Sequence, residues 1–552
     1  MFSAMPPLIK NTILPLLKEN RRGFFVIFLL STLVSLSGAL QPFIMQHIID
    51  DALLSANLDQ LFILVAVSFF LTIFAMFISS VNELFYTSTS MNVLFAFREK
   101  IFARLFLHNK QFMTRYHSAD LMSRVQGDVS ELQRFFTDSL FALFSTIISL
   151  VFISVIIYAY NIKLMILIIV FLPIEFFCLR PLYPHMHDST KNVRESTSDI
   201  SKFFIESFRY IPVLKNLGAK EGTIAKLGTI QNDYKEVVIK NKKLNLLFTQ
   251  LPAFISLLGK TLIISYGGYL TINGELKLGE LIAFLTYFGM ILAPVNTILG
   301  IINNLPKVKV SLNRVMEILP NEEQPKRFRA ERFDIAVEGL SFAYGDNVIF
   351  EGLNLCIAEK SKIAIIGRNG IGKSTFGDLL CGLQSCTQGT VSIGMQEIGK
   401  ENFTNLHHYI VKLEQTPVIF DDTLRGNLLL AKPDASDEEL IASLEQTGML
   451  AWFESLQEGL ETNIYEAGDN LSGGQKQRIA LSRIILLKPK IIILDEFTSA
   501  IDRKDTEWFF ENITGLFPEA TIVAITHHLD MLRHFDTVYE LDEQTFKEVK
   551  HG

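Results

Sequence analysis

Residues 361–375 read SKIAIIGRNGIGKST, and this stretch decides the fold of the C-terminal half. A short apolar run, Ile363–Ile366, predicts a buried strand. It runs into Gly367-x-x-x-x-Gly372-Lys373-Ser374, and a helical pattern follows from Thr375. Strand, glycine-rich turn and helix in that order make a phosphate-binding loop. Gly367, Asn369, Gly370 and Gly372 are its turn positions. Glycines there let backbone N–H groups close around phosphate oxygens. The helix N-terminus adds the positive end of its dipole. Lys373 is expected to reach the β- and γ-phosphates. The Ser374 hydroxyl is expected to ligate Mg²⁺, with Thr375 beside it on the nucleotide.

A second apolar run, Ile491–Leu494, ends in Asp495-Glu496. A buried strand ending in carboxylates is how such loops are completed. Asp495 would hold Mg²⁺, and Glu496 would polarise an attacking water as general base. These features predict an α/β P-loop ATPase domain.

The N-terminal half reads differently. The 552 residues are 49% hydrophobic and 20% charged, with 45 Phe and a mean hydropathy of +0.29. Ordinary globular chains are about 25% charged, so wholly disordered and wholly water-soluble classes are both disfavoured. The net charge of −7 gives no reason to expect nucleic acid. Cys178, Cys356, Cys381 and Cys386 have neither disulfide-framework nor metal-site spacing.

The apolar excess lies in six windows, Phe24–Leu40, Leu61–Ile78, Ser139–Tyr158, Leu164–Leu179, Leu251–Leu270 and Leu281–Ile302. Each is close to the ~20 residues that cross ~30 Å of hydrocarbon. Only Glu175 in the fourth and Lys260 in the fifth carry charge. The first window lacks the small-residue cleavage site of a signal peptide. Lys and Arg mark the cytoplasmic side. Residues 41–60 have none, whereas residues 79–138 have seven and residues 180–250 have twelve. Both termini and both long loops are therefore expected in the cytoplasm. The long loops mix apolar and charged residues without Gly/Ser-rich runs, as helices extending beyond the bilayer would. The expected layout is a six-helix transmembrane domain with long cytoplasmic extensions over 1–320, a charged linker over 321–334, and the ATPase domain over 335–552.

Residues 471–478 read LSGGQKQR, shortly before Asp495-Glu496. With the phosphate loop and the carboxylates, this resembles the signature of ATP-binding cassette (ABC) transporters. The resemblance continues at single positions. Tyr344 matches the aromatic residue that stacks on adenine, and Gln415 in VKLEQTPVIF matches the Q-loop glutamine, which senses Mg²⁺. Ser499-Ala500-Ile501-Asp502 matches the D-loop, with Ile at the usual Leu position. His527 matches the switch histidine, followed by His528 where Arg is common, and Glu466 matches an acidic residue of exporters. The membrane half is similar to exporters that fuse six helices to one cassette. Ala119-Asp120 stands where they usually have Gly-Asp.

The resemblance implies a half-transporter of bacterial plasma (inner) membrane type that binds ATP and Mg²⁺. Two cassettes would pair head to tail, and ATP on one phosphate loop would be capped by Ser472, Gly473, Gly474 and Gln475 of the other, with Asp502 nearby. Glu496, His527 and Gln415 would form the catalytic set. Ser374, Gln415 and Asp495 would form the metal set. All parts are present once, so a homodimer would suffice, and a heterodimer with a second half-transporter stays open. Short coupling helices are expected near His108–Ala119 and Phe208–Ala219. The substrate reading favours export of a peptide or amphipathic small molecule by alternating access. A lipid or lipid-linked glycan flippase is the alternative, and an ATP-gated regulator or channel is a third reading. No Arg lies in the six windows to meet a pyrophosphate lipid. Lys260 would face a wet cavity or pair with Glu175, and Asn82, Glu83, Tyr287 and Asn296 are candidate cavity residues.

Overall fold

The structure is a computed structural model that describes residues 9–116, 118–160, 162–319, 326–399, 403–465, 468–497, 503–542 and 545–549. Chain contacts divide it into two units. One holds residues 1–103 and 119–319, and the other holds residues 104–118 and 320–552.

The first unit is helical. Among the described residues, five helical runs are long and apolar enough to cross a membrane: Arg21–Leu53, Leu58–Leu105, Ser118–Ala159, Lys220–Ile272 and Leu278–Glu317. The remaining window lies in the 18-residue helix Ile162–Leu179, which leads through Arg180-Pro181 into Leu182–Arg209. The chain is thus an integral membrane protein with several spans. Leu58–Leu105 has 48 residues, which at 1.5 Å each is about 72 Å, more than twice the hydrocarbon thickness. The extension of the spans beyond the bilayer follows from that length.

The helices pack through a central apolar cluster that includes Ala39, Ile153, Ile263, Phe284, Tyr287 and Phe288. Gly259 lies against Phe288, where a Cβ would come within 2.0 Å of the ring. Small residues at such crossings let membrane helices approach closely. Tyr287, fully buried, donates its hydroxyl to the Ala39 carbonyl at 2.7 Å, and Asn82 donates to Ser31 Oγ at 3.2 Å. Both are therefore engaged in helix contacts. The Asn296 side chain lies outside the described residues. Lys260 is exposed and Glu175 is buried, so they occupy opposite environments rather than one buried pair. Asp120 accepts from Arg124 at 2.9 Å and from Arg314 at 2.8 Å. These bonds, with Arg124–Glu317 at 2.9 Å, tie residues 118–128 to the end of Leu278–Glu317.

The second unit is built on two main sheets. Strands β1 (Ile335–Tyr344), β2 (Asn347–Ile357), β4 (Gln388–Ile393) and β5 (Gln396–Ile398) form an antiparallel sheet in the order β2-β1-β4-β5. Strands β3 (Lys362–Ile366), β6 (Ile410–Leu413), β9 (Ile491–Asp495), β10 (Thr521–Ile525), β11 (Thr537–Asp542) and β12 (Thr545–Val549) form the other sheet. Its order is β12-β11-β3-β10-β9-β6. It is parallel except for β12, which pairs antiparallel at one edge. Strands β7 (Asp422–Thr423) and β8 (Asn463–Ile464) make a small separate pair.

Every residue of β9 and β10 is buried, as parallel strands covered on both faces require. Their side chains alternate with period two. Ile491, Ile493, Val523 and Ile525 face the core shared with Phe376, Leu379 and the antiparallel sheet. Ile492, Leu494, Ile522 and Ala524 face Leu481, Ile484, Phe510 and Ile513. Residues 326–334, expected as linker, belong to the same core. Phe328 and Phe333 are buried there, and the Phe328 N–H donates to Asn405 Oδ1 at 2.7 Å.

Candidate nucleotide site

The site grows from the C-terminal ends of β3 and β9, neighbours across β10. The loop after β3 bends through Gly367, Gly370 and Gly372, whose φ angles are +151°, +81° and +109°. At Gly372 a side chain would also collide, since a Cβ would stand 2.5 Å from Ile349 and 2.9 Å from Phe350. Gly372 caps the helix Lys373–Leu380, whose first N–H groups have no partner within the helix and are the donors an anion needs. Asn369 and Gly370 sit exposed at the loop tip.

Lys373 is 5% exposed, and its ammonium donates to the carbonyls of Gly367 and Arg368 at 2.9 and 3.0 Å. It folds back across the loop it follows. The same ammonium lies 3.8 Å from Glu496 Oε1. The Ser374 hydroxyl donates to Asp495 Oδ1 at 2.9 Å. Loop and second strand therefore meet through the two groups expected to bind the metal. Glu496 follows β9 with φ +43°, a left-handed conformation uncommon outside glycine. Its N–H donates to the Ile525 carbonyl at 2.9 Å, which anchors that turn to β10. Strained backbone of this kind is concentrated at functional positions.

Gln415 lies just beyond β6 and donates to Glu496 Oε2 at 3.2 Å. Tyr344 is exposed at the end of β1, with its hydroxyl 3.4 Å from Thr375 Oγ1. His527 follows β10 and is exposed, its ring 4.3 Å from that of His528. Burial and the neighbouring His527 push the His528 imidazole below its ordinary pKa, against the pull of Asp530 and Glu496.

Ser472 and Gly473 are exposed at the start of the helix Gly473–Leu487. The Gln475 N–H donates to Ser472 Oγ at 3.2 Å, and the Ser472 N–H donates to Gln475 Oε1 at 2.8 Å. This reciprocal cap fixes the helix start and leaves Gly473 and Gly474 without side chains over their N–H groups. Glu466 and Ser499–Asp502 lie outside the described residues.

Four residues of this region escaped the sequence reading: Lys412, Asp378, Glu414 and Lys110. The Lys412 side chain is 3% exposed, with its ammonium 2.8 Å from both Asp378 Oδ1 and Asp495 Oδ2. Burial favours its neutral form, but the two carboxylates outweigh burial and raise its pKa. A lysine inside a four-residue apolar strand was the available signal. Arg483 was also missed. It donates to the Val418 and Asn427 carbonyls at 2.7 and 2.8 Å and so holds the chain beyond Gln415. Burial lowers its pKa to about 10.

Comparison with known proteins identifies the family. Residues 24–295 match the ABC transporter transmembrane region family, and residues 350–499 match the ABC transporter family. "Putative multidrug export ATP-binding/permease protein YgaD" of Bacillus subtilis is 24% identical over 547 residues, covering 96% of this chain and 94% of that protein. "Uncharacterized ABC transporter ATP-binding protein YknV" of the same organism is 26% identical over 540 residues, covering 97% and 88%. Among solved structures, a bacterial Atm1-family ABC exporter with ATP bound superposes with a TM-score of 0.81 at 20% identity, covering 97% of this chain and 95% of that one. A membrane-spanning unit and an ATP-binding cassette in one chain, with the phosphate loop and its carboxylates assembled, place the chain in the ABC transporter family, as a half-transporter of exporter fold whose ATPase is coupled to transport.

Proposed function

We propose that this chain is a Mg²⁺-dependent ATPase that works as a homodimer and exports amphipathic small molecules or peptides from the bacterial cytoplasm by alternating access. The observation that carries the reading is that the neighbours Lys373 and Ser374 meet the neighbours Glu496 and Asp495, Ser374 bonding Asp495 and Lys373 lying beside Glu496, which Gln415 also contacts. The donor set suits Mg²⁺, since a hydroxyl and a carboxylate 2.9 Å apart are hard oxygen ligands. Ser374 and Asp495 would hold the ion, which when bound supplies charge neutralisation to the phosphates.

Each side chain then has a role. Lys373 would exchange its loop carbonyls for the β- and γ-phosphate oxygens. Glu496 would accept a proton from the attacking water, and Gln415 would hold the Glu496 carboxylate in place. His527 would contact the γ-phosphate, and Tyr344 would stack on the base. Ser472, Gly473, Gly474 and Gln475 would present N–H groups to the nucleotide on a second copy, with Asp502 beside them. Each part occurs once per chain, so two copies complete two sites.

The Lys/Arg-rich loops support a cytoplasmic cassette. The name of YgaD, shared in kind by Staphylococcus aureus relatives 25% identical over 464 residues, supports export of drug-like molecules. The deciding experiment is ATP hydrolysis by the full chain in nanodiscs, titrated with Mg²⁺ and with amphipathic dyes, peptides and lipids. Stimulation by dyes or peptides is expected. Stimulation by lipids alone would replace this substrate class with a flippase. Lys373→Ala should lose both nucleotide binding and turnover, and unchanged affinity would refute its phosphate role.

A further inference from the structure

Strand β6 carries one charged residue, Lys412, between the apolar Val411 and Leu413. Its ammonium contacts three carboxylates: Asp495 Oδ2 at 2.8 Å, Asp378 Oδ1 at 2.8 Å and Glu414 Oε2 at 3.1 Å. Asp378 and Asp495 are both 4% exposed. The other oxygen of Asp378 is also used, accepting from Lys110 Nζ at 2.9 Å. Four charges therefore alternate in sign through successive contacts, Asp495–Lys412–Asp378–Lys110, and Glu414, 3.7 Å from Lys110, is a second, more exposed bridge between the two lysines.

Two ends of this line matter. At one end, Asp495 has its two oxygens assigned to different partners, Oδ1 to Ser374 and Oδ2 to Lys412. A carboxylate held on one edge presents the other edge in a fixed plane. The edge shared with Ser374 is the one that meets the phosphate loop. At the other end, Lys110 opens the short helix Lys110–Arg115. That helix belongs to the segment Arg104–Ser118, which packs with the cassette although the sequence sets it between two membrane helices. Its first N–H groups donate to the Leu383 carbonyl at 2.8 Å and to Gln384 Oε1 at 3.2 Å, just past the phosphate-loop helix. The segment is thus docked by both backbone and charge.

We propose that Lys412 is the positioning residue for the Asp495 carboxylate, and that the Asp495–Lys412–Asp378–Lys110 line makes metal-nucleotide binding and docking of the Arg104–Ser118 segment depend on each other. The proposal rests on the metal role assigned above to Ser374 and Asp495. Without Lys412, the buried Asp495 would lose the cation on its Oδ2 edge, while Asp378 would keep Lys110, and the Asp495 carboxylate would be free to turn. By linkage, any preference of the metal-loaded site for the docked segment is matched by an equal preference of the docked segment for metal.

The test uses the full chain in detergent or nanodiscs, with Mn²⁺ as a spectroscopic probe of the metal site and a fluorescent ATP analogue as a probe of nucleotide binding. Partners that orient a metal ligand typically carry 10–100-fold in metal affinity. Lys412→Met should weaken Mn²⁺ binding to the nucleotide-loaded protein by roughly tenfold or more, and leave metal-independent nucleotide affinity within about twofold. Lys412→Arg should restore much of the loss. Lys110→Met should shift Mn²⁺ affinity the same way by a smaller factor, and should add nothing in the Lys412→Met background. Asp378→Asn keeps the volume at the centre of the line and should behave like Lys110→Met, so the idea stays testable if Lys412→Met fails to fold. Unchanged Mn²⁺ affinity in Lys412→Met, or in Asp378→Asn if that is the variant that folds, would overturn the proposal. So would full additivity of the Lys110 and Lys412 changes. If Asp495→Asn leaves Mn²⁺ affinity unchanged, the metal assignment itself fails, which is a separate outcome.

Discussion

Strand β9 and the helix Leu58–Leu105 draw on the same apolar residue types and give them opposite surroundings. All five residues of β9 are buried, and Ile491, Ile492 and Ile493 are inaccessible. On the helix, Phe62, Phe70, Phe77 and Leu84 are each about two-thirds exposed or more. Exposed aromatics at that density belong against lipid rather than water. The difference separates two kinds of constraint. In the cassette a side chain is fixed by its neighbours, so chemistry can be placed to within an ångström. On the outer face of the membrane unit a side chain needs only to be apolar.

The largest effect expected from this contrast is catalytic. Glu496 is held between Lys373 and Gln415, so Glu496→Gln keeps the shape of the site and removes the base. Turnover should fall about 10²–10⁴-fold, the usual contribution of a general base, with nucleotide binding retained. Wild-type hydrolysis in this variant would sink the assignment.

The contrast in packing is tested by a matched pair. Ile493→Ala opens a void between the sheets and should cost the cassette about 2–5 kcal/mol. Phe77→Ala, on the exposed face of its helix, should cost well under about 1 kcal/mol in detergent, as surface changes do. Unfolding monitored on the full chain reads both. Equal losses would mean that Phe77 is buried against something other than lipid.

What the sequence made legible follows the same division. The phosphate loop, Asp495 and Glu496 are readable because each lies at the end of a short apolar strand, so spacing alone places it. The antiparallel sheet and the core it shares with the parallel one are not, since only the strands Ile363–Ile366 and Ile491–Leu494 stand out as apolar runs leading into a motif. Lys412–Asp378 and Lys110–Asp378 are not, because they join positions 34 and 268 residues apart and one strand residue breaks its own pattern. The left-handed turn at Glu496 carries no sequence mark either, since no glycine announces it. In the membrane unit the spans are legible from composition. Their facing is not, because windows apolar all round carry no periodic signal. Tyr287 shows the consequence. A polar tip in an apolar window suggested a cavity, and the tip bonds the Ala39 carbonyl instead.

Facing can nevertheless be tested within one helix. On Lys220–Ile272, a Cβ at Gly259 would meet the buried Phe288 ring at 2.0 Å, whereas a Cβ at Gly268 would meet nothing within 4 Å. Gly259→Ala should destabilise the membrane unit by about 1–3 kcal/mol, the usual range for overpacking. Gly268→Ala should stay within about 0.5 kcal/mol, as expected away from packed contacts. Reversal of that order, measured by thermal unfolding in detergent, would mean that the two helices cross elsewhere.

The smallest expected effect is on pH dependence, and it separates the two regions by their ionisable groups. None of the six apolar windows contains His, whereas the cassette places His528 half-buried behind the site. Its Nε2 makes no hydrogen bond. Burial and His527 hold its pKa below the ordinary 6.5, while Asp530 and Glu496 act in the opposite sense. A group whose folded pKa is depressed takes up its proton first in the unfolded chain. Its contribution is therefore present above pH 6.5 and is lost as pH falls through the lower, folded value. His407, also lowered by burial and by His408, adds a slope of the same sign. Melting of the cassette should thus shift downward between neutral and mildly acidic pH, and His528→Gln should flatten part of that slope while His407 maintains the rest. An unchanged slope in His528→Gln would show that the ring stays neutral for no cost, and that the acid sensitivity of the cassette lies in its carboxylates.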